Sequence, residues 1–136
     1  MDFQILIKLA LEKVKMAYAP YSHFQVGAAV LADSGRIYGA ANVENASYGA
    51  TICAERNAIA AAVNAGERRL QAIAICGGRN GVISDFCPPC GVCRQVMREF
   101  ADPKSFKVAI AKSPGEFKVF TLDQLLPMSF GPSALV

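Results

Sequence analysis

Between residues 3 and 17, apolar side chains recur at Phe3, Leu6, Ile7, Ala10, Leu11, Val14 and Ala17, while Glu12, Lys13 and Lys15 fall on the other side. One apolar stripe at a period of about 3.6 residues predicts an amphipathic helix packed on a core, ended by Pro20. From Phe24 the pattern changes. Residues 24–32 are apolar and partly β-branched, Asp33-Ser34-Gly35 supplies a turn, and 36–41 resumes in strand-like fashion, so 24–41 predicts a β-hairpin. Residues 52–65 are rich in helix formers and stop at Gly66. Residues 70–75 read as a short apolar strand running into Gly77-Gly78, followed by a Gly- and Pro-rich loop to Pro89. A third helix is predicted over 90–100, and two more strands over 106–111 and 117–121.

Helices alternating with strands in this order predict an α/β fold, a three-layer α/β/α sandwich around one mixed sheet of about five strands. The chain shows no repeat, linker or low-complexity tract, and 136 residues suit a single domain spanning 1–136. Composition narrows the choice of class. Apolar residues at 53% and charged residues at 18% supply a core and argue against disorder. Fourteen Lys+Arg against eleven Asp+Glu leave +3, short of the footprint of a dedicated nucleic-acid binder. No apolar run approaches the roughly 18 residues of a membrane span. Met1-Asp2-Phe3-Gln4 places an acid where a secretory leader has its positive start, and Lys8 interrupts the apolar run. The expectation is a soluble, cytoplasmic protein with neither a nucleic-acid nor a membrane partner.

Five cysteines change the picture. An odd count cannot close into intramolecular disulfides alone, so reduced thiols used for metal binding or catalysis are the better reading. Cys53-Ala54-Glu55-Arg56 and Pro88-Pro89-Cys90-Gly91-Val92-Cys93-Arg94-Gln95 carry the candidate chemistry. A catalytic zinc takes three protein ligands and leaves one position for water. Cys53 and Cys90 each open a predicted helix, where backbone N–H groups favour the thiolate. Cys87-Pro88-Pro89-Cys90 is also a Cys-x-x-Cys. The 90/93 pair is preferred, because the prolines hold 87–89 extended and Gly91 permits the turn. Cys76, in an apolar strand, reads as a core residue. A redox dithiol lacks the thioredoxin-like βαβ start it would need. Zinc with three thiolates is a −1 centre, and Arg56 and Arg94, each next to a proposed ligand or one helical turn from it, are candidates to offset that charge. Glu55, two residues after Cys53, is placed to move a proton on a metal-activated water. The single histidine, His23, reads as a turn residue.

Cys-Ala-Glu followed by Pro-Cys-x-x-Cys resembles the zinc nucleoside and nucleobase deaminases. More specifically, the chain resembles the small homotetrameric cytidine deaminases. The match runs through Ala17-Tyr18-Ala19-Pro20-Tyr21-Ser22-x-Phe24-x-Val26-Gly27-Ala28-Ala29, Asn42-Val43-Glu44-Asn45-Ala46-Ser47-Tyr48, the two thiol segments and Leu125-Leu126-Pro127. This resemblance implies one Zn2+ per chain on Cys53, Cys90 and Cys93, with a zinc-bound hydroxide attacking C4 of the pyrimidine and Glu55 shuttling the proton. It further implies that Asn42 and Glu44 hold the ribose hydroxyls, that Phe24 packs on the base, and that Val43 and Ala54 complete the substrate contacts. Phe130 would reach a neighbouring subunit's site. The implied activity is hydrolytic deamination of cytidine and 2′-deoxycytidine, in pyrimidine salvage. Cys87 is an extra thiol that the family pattern leaves without a role.

Three other functions share parts of this pattern. A deaminase of the blasticidin S type shares both thiol segments, although Asn42, Glu44 and Phe24 speak for a free nucleoside. An editing deaminase would need a firmer hold on a phosphate backbone than +3 offers. A zinc-stabilised binding module without turnover would need a fourth protein ligand, for which Cys87 is the nearby candidate.

Overall fold

The computed structural model describes residues 1–136. Helix α1 spans Phe3–Val14, and the hairpin follows as β1, Phe24–Ala32, and β2, Ile37–Ala41. Helix α2 covers Ala54–Asn64, strand β3 Leu70–Arg79, and helix α3 Gly91–Phe100. Strands β4, Lys107–Ser113, and β5, Glu116–Thr121, precede a short helix α4, Leu122–Leu125. One five-stranded sheet runs in the order β2-β1-β3-β4-β5. Only β3 and β4 pair in parallel, and α3 provides the crossover that a parallel pair requires.

Strand alternation sorts the core onto two faces. Ala28, Val30, Ile73, Ile75, Val108 and Ile110 pack beneath α2, α3 and α4. Ala29, Ala72, Ala74, Cys76, Ala109 and Ala111 face Leu6, Ile7, Ala10 and Val14 of α1. The α1 face of the sheet is thus paved mainly with alanine, while branched side chains fill the opposite face. Helices cover both sides, which gives the expected α/β/α layering and explains why β3 is apolar along nearly its whole length. No helix is long and apolar enough to cross a membrane.

Two boundaries and one element differ from the sequence reading. Helix α1 stops at Val14, after which 15–23 turns and Tyr18 bridges to Val43. Strand β3 continues through Gly77-Gly78 to Arg79, because these residues pair with Val26, Gln25 and Phe24 of β1. Gly78 fits there because its missing side chain leaves room for a neighbouring backbone: a Cβ would fall 1.9 Å from the Val82 carbonyl oxygen. Helix α4 was not anticipated. Its signal is the Thr121–Gln124 capping box, in which each side chain bonds to the other's backbone N–H.

Candidate active site and metal centre

The loop after β2 and the loop after β3 deliver two helix starts to one place. Cys53 is the N-cap of α2 and Cys90 the N-cap of α3, both in extended backbone. Cys93 lies one turn into α3 and is fully buried. The sulfurs of Cys53, Cys90 and Cys93 all fall within 4.8 Å of one another. Cys53 Sγ is 3.9 Å from Cys90 Sγ, and Cys90 Sγ is 3.4 Å from Cys93 Sγ. A tetrahedral zinc site with bonds of about 2.3 Å has sulfur–sulfur edges of about 3.8 Å. The donor set therefore fits zinc in both spacing and chemistry, with three soft ligands and one position left over.

The electrostatics agree with a cation site. The Cys53 thiol is brought down to about 5, chiefly by a hydrogen bond from Cys93 and also by the Arg56 guanidinium. Cys93 moves the opposite way, since it supplies the proton for that bond and is buried. Packed this closely, the thiols cannot all be thiolates without a positive charge among them. Arg56 Nη2 lies 3.6 Å from Cys53 Sγ and 3.4 Å from the Thr51 carbonyl oxygen. Its buried Nε has no partner.

Glu55 points inward from the first turn of α2 and is 4% exposed. Burial pushes its carboxyl up to about 7, and the negative charge on Cys53 adds to the shift. A carboxyl poised near neutrality beside three thiols is suited to accepting and returning protons.

Two further residues stand on the loop between β2 and α2. Asn42 is buried; its Oδ1 accepts from Val26 N–H at 2.9 Å and its Nδ2 donates to the Phe24 carbonyl at 2.9 Å. The amide thereby sets the start of β1, where Phe24 lies 40% exposed. Glu44 Oε1 accepts from the N–H groups of Tyr21 and Ser22 at 3.0 and 3.1 Å, and its Oε2 accepts from Ser22 Oγ. These bonds, above all the one from Ser22, hold its carboxyl below the usual range. Tyr21, Ser22, Glu44, Tyr48 and Thr51 line one cleft, with the Tyr21 and Tyr48 rings 6.1 Å apart. Sequence reasoning named Glu44 and passed over Ser22 and Thr51. Their only signal was a hydroxyl neighbour in a turn, which many loops share.

The remaining residues fall into place less uniformly. Val43 is exposed, while Ala54 is buried at the start of α2. His23 occupies a left-handed turn position (φ 59°), as expected, and lies outside the metal cluster. Cys76 is buried on the α1 face of the sheet. Cys87 faces Gly77, whose Cβ would meet its sulfur at 3.1 Å, and it does not join the thiol cluster. Burial pushes its thiol up to about 12. A zinc module closed by Cys87 therefore finds no support, and the Cys90/Cys93 pair is the one brought together. Arg94 differs from expectation: its hydrogen bonds go to backbone carbonyls and none goes to a sulfur. Phe130 is 62% exposed in the C-terminal segment.

Comparison with known proteins accords with this geometry. Residues 2–109 match the family described as "Cytidine and deoxycytidylate deaminase zinc-binding region". A cytidine deaminase from Halalkalibacterium halodurans is 45% identical over 130 residues, covering 96% of this chain and 95% of the relative. The crystal structure of cytidine deaminase from Burkholderia pseudomallei superposes with a TM-score of 0.86 at 41% identity, covering 96% of this chain and 100% of that one. That of cytidine deaminase from Mycobacterium tuberculosis gives 0.81 at 39% identity, covering 96% and 98%. With a family match over residues 2–109 and relatives more than 40% identical along nearly their whole length, the chain belongs to the cytidine and deoxycytidylate deaminase family.

Proposed function

We propose that the protein is a zinc-dependent cytidine deaminase that converts cytidine and 2′-deoxycytidine to uridine and 2′-deoxyuridine with release of ammonia. One observation carries the reading: three thiols gathered at two helix starts beside a carboxyl that is 4% exposed. Cys53, Cys90 and Cys93 would hold the zinc, which when bound would supply a Lewis acid for activating water at neutral pH. Glu55 takes a proton from the attacking water and gives it to N3 of the pyrimidine, then passes the second proton to the departing amine. Arg56 offsets negative charge at Cys53.

Asn42 and Glu44 hold the ribose hydroxyls. After its two bonds to β1, the Asn42 amide keeps one N–H and one lone pair for a ligand. Glu44 is pre-positioned by Tyr21 and Ser22 and stays ionised, which suits an acceptor of hydroxyl protons. Phe24 packs on the base, and Val43 and Ala54 complete the wall. Phe130 reaches a neighbouring subunit's site in a homotetramer. The chain works as one domain over 1–136, in the cytoplasm, in pyrimidine salvage, with no nucleic-acid or membrane partner.

The test is to incubate purified protein with cytidine, deoxycytidine, cytosine and blasticidin S while following ammonia and zinc content. Turnover of the two nucleosides with one zinc per chain is expected. Ammonia from blasticidin S alone would replace the substrate assignment, and a zinc-loaded protein releasing no ammonia from any of the four would end the deaminase reading.

A further inference from the structure

Arg94 follows Cys93 in the first turns of α3, where its charge invites the reading that it screens the thiolates. Its donors are engaged elsewhere. Nε donates to the Pro89 carbonyl at 2.8 Å and Nη1 to the Leu125 carbonyl at 2.7 Å. Pro89 is buried and immediately precedes Cys90. Neither Pro88 nor Pro89 has an N–H to donate, so this stretch can be fastened only through its carbonyls. Arg94 takes the last carbonyl before the metal-binding turn.

The other end of the bridge is itself anchored. Leu125 ends α4, whose first turn is fixed by the Thr121–Gln124 capping box and by fully buried Leu122. Beyond it, the same side of α3 continues to grip the C-terminal segment. Gln95 Nε2 donates to the Phe130 carbonyl at 2.9 Å, and Arg98 Nε donates to Ser129 Oγ at 2.9 Å. Arg98 lies so close to Gly131 that a Cβ there would fall 2.5 Å from its Cζ. The helix that carries Cys93 therefore spends Arg94, Gln95 and Arg98 on one segment distant in sequence.

We propose that Arg94 is a positioning residue for the metal centre: its bridge between the Pro89 and Leu125 carbonyls fixes the turn that presents Cys90, with the C-terminal segment as anchor. The role is geometric and does not depend on charge. It rests on the zinc reading above. A lysine keeps the charge but offers a single nitrogen, which cannot reproduce the rigid fork that reaches two carbonyls.

The experiment measures zinc dissociation constants by competition with a chromophoric chelator, on wild type, Arg94→Lys, Arg94→Met and Arg98→Ala, with circular dichroism to verify folding. Arg94→Lys and Arg94→Met are expected to weaken zinc binding alike, by about 10- to 100-fold, as removal of an outer-shell partner does. Arg98→Ala, which loosens only the anchor, is expected to weaken it less and in the same direction. Zinc affinity kept in Arg94→Lys but lost in Arg94→Met would overturn the proposal in favour of charge screening. Wild-type affinity in both would overturn it outright. Should neither Arg94 variant fold, Arg98→Ala decides, and unchanged affinity there overturns the proposal. A wild-type chain that takes up no zinc would fail the zinc reading itself, a result distinct from all of these.

Discussion

The two ends of α2 put the same residue type to opposite uses. At the N-terminal end, Glu55 is 4% exposed and its carboxyl is pushed up to about 7 by burial. Just past the C-terminal end, Glu67 is half-buried, and hydrogen bonds from Ser34 Oγ at 2.6 Å and Tyr38 Oη at 2.8 Å hold its carboxyl below the usual range. The first carboxyl has been placed where it can exchange protons near neutrality; the second has been stabilised in its charged form so that it ties the β1–β2 hairpin to the end of the helix. Desolvation creates reactivity at one end, and satisfied hydrogen bonds create a fastener at the other.

Substitutions at the reactive end should have the larger consequences. Cys53→Ala leaves two thiols for the metal, and zinc by atomic absorption is expected to fall well below one per chain, with nucleoside turnover lost alongside it. Glu55→Gln keeps the shape of the site and removes the proton carrier. It should lower kcat by about 100- to 10,000-fold, the usual worth of general acid–base catalysis, while zinc content stays at the wild-type level. Glu67→Gln, assayed beside it, should leave kcat and KM unchanged. Equal losses in the two glutamate variants would erase the distinction between the ends of the helix.

This contrast was only half legible in the sequence. Cys53 opening a helix and Cys90-x-x-Cys93 opening another already implied a metal centre, because thiolate ligands need that spacing and helix starts favour the ionised form. Glu55 stood out by its neighbours alone. Its burial, which makes it useful, depends on the sheet beneath it and on α3 arriving from nearly forty residues away, and no local pattern encodes that. The same limit accounts for Arg94. Adjacency to Cys93 suggested screening, while the direction of its guanidinium was decided by Pro89 and by Leu125, thirty-one residues further on. Strand β3 ran past its predicted end because Gly77-Gly78 reads locally as a breaker. Pairing with β1 and the close passage of Val82 turn the same glycines into strand residues. Elements governed by side-chain period were readable; those governed by partners distant in the chain were not.

One turn on from Cys53, α2 offers a measure of pure fastening. Asn57 Nδ2 donates to the buried Ala41 carbonyl at 2.9 Å and so joins the helix to the last residue of β2. Asn57→Ala strands that carbonyl, for a cost of about 1–2 kcal/mol. In a chain of this size the melting temperature should drop by about 3–8 °C. Zinc stoichiometry should stay at the wild-type level, since Asn57 touches no thiol. Loss of zinc in this variant would mean that the helix cannot loosen its hold on β2 without disturbing its reactive end.

The smallest effect belongs to Glu67, and its sign follows from the direction of its shift. Because the folded chain holds this carboxyl below its ordinary value of 4.5, its contribution to stability is present above that value. It is lost as pH falls through the lower, folded value. Tyr38 shows the reciprocal shift, raised chiefly by its hydrogen bond to Glu67, so its share persists below its ordinary value of 10.0 and is lost as pH rises through the raised one. The contact thus acts on the plateau between the two. In Glu67→Gln the amide oxygen can still accept from Ser34 and Tyr38, but without a charge to lose. Melting temperatures of wild type and variant, measured from pH 6 down to pH 3, should therefore differ slightly at pH 6 in favour of wild type and converge as the pH falls. A gap that widens with acid would show that Glu67 is strained in its charged form, and the far end of α2 would then resemble the reactive end more than its hydrogen bonds imply.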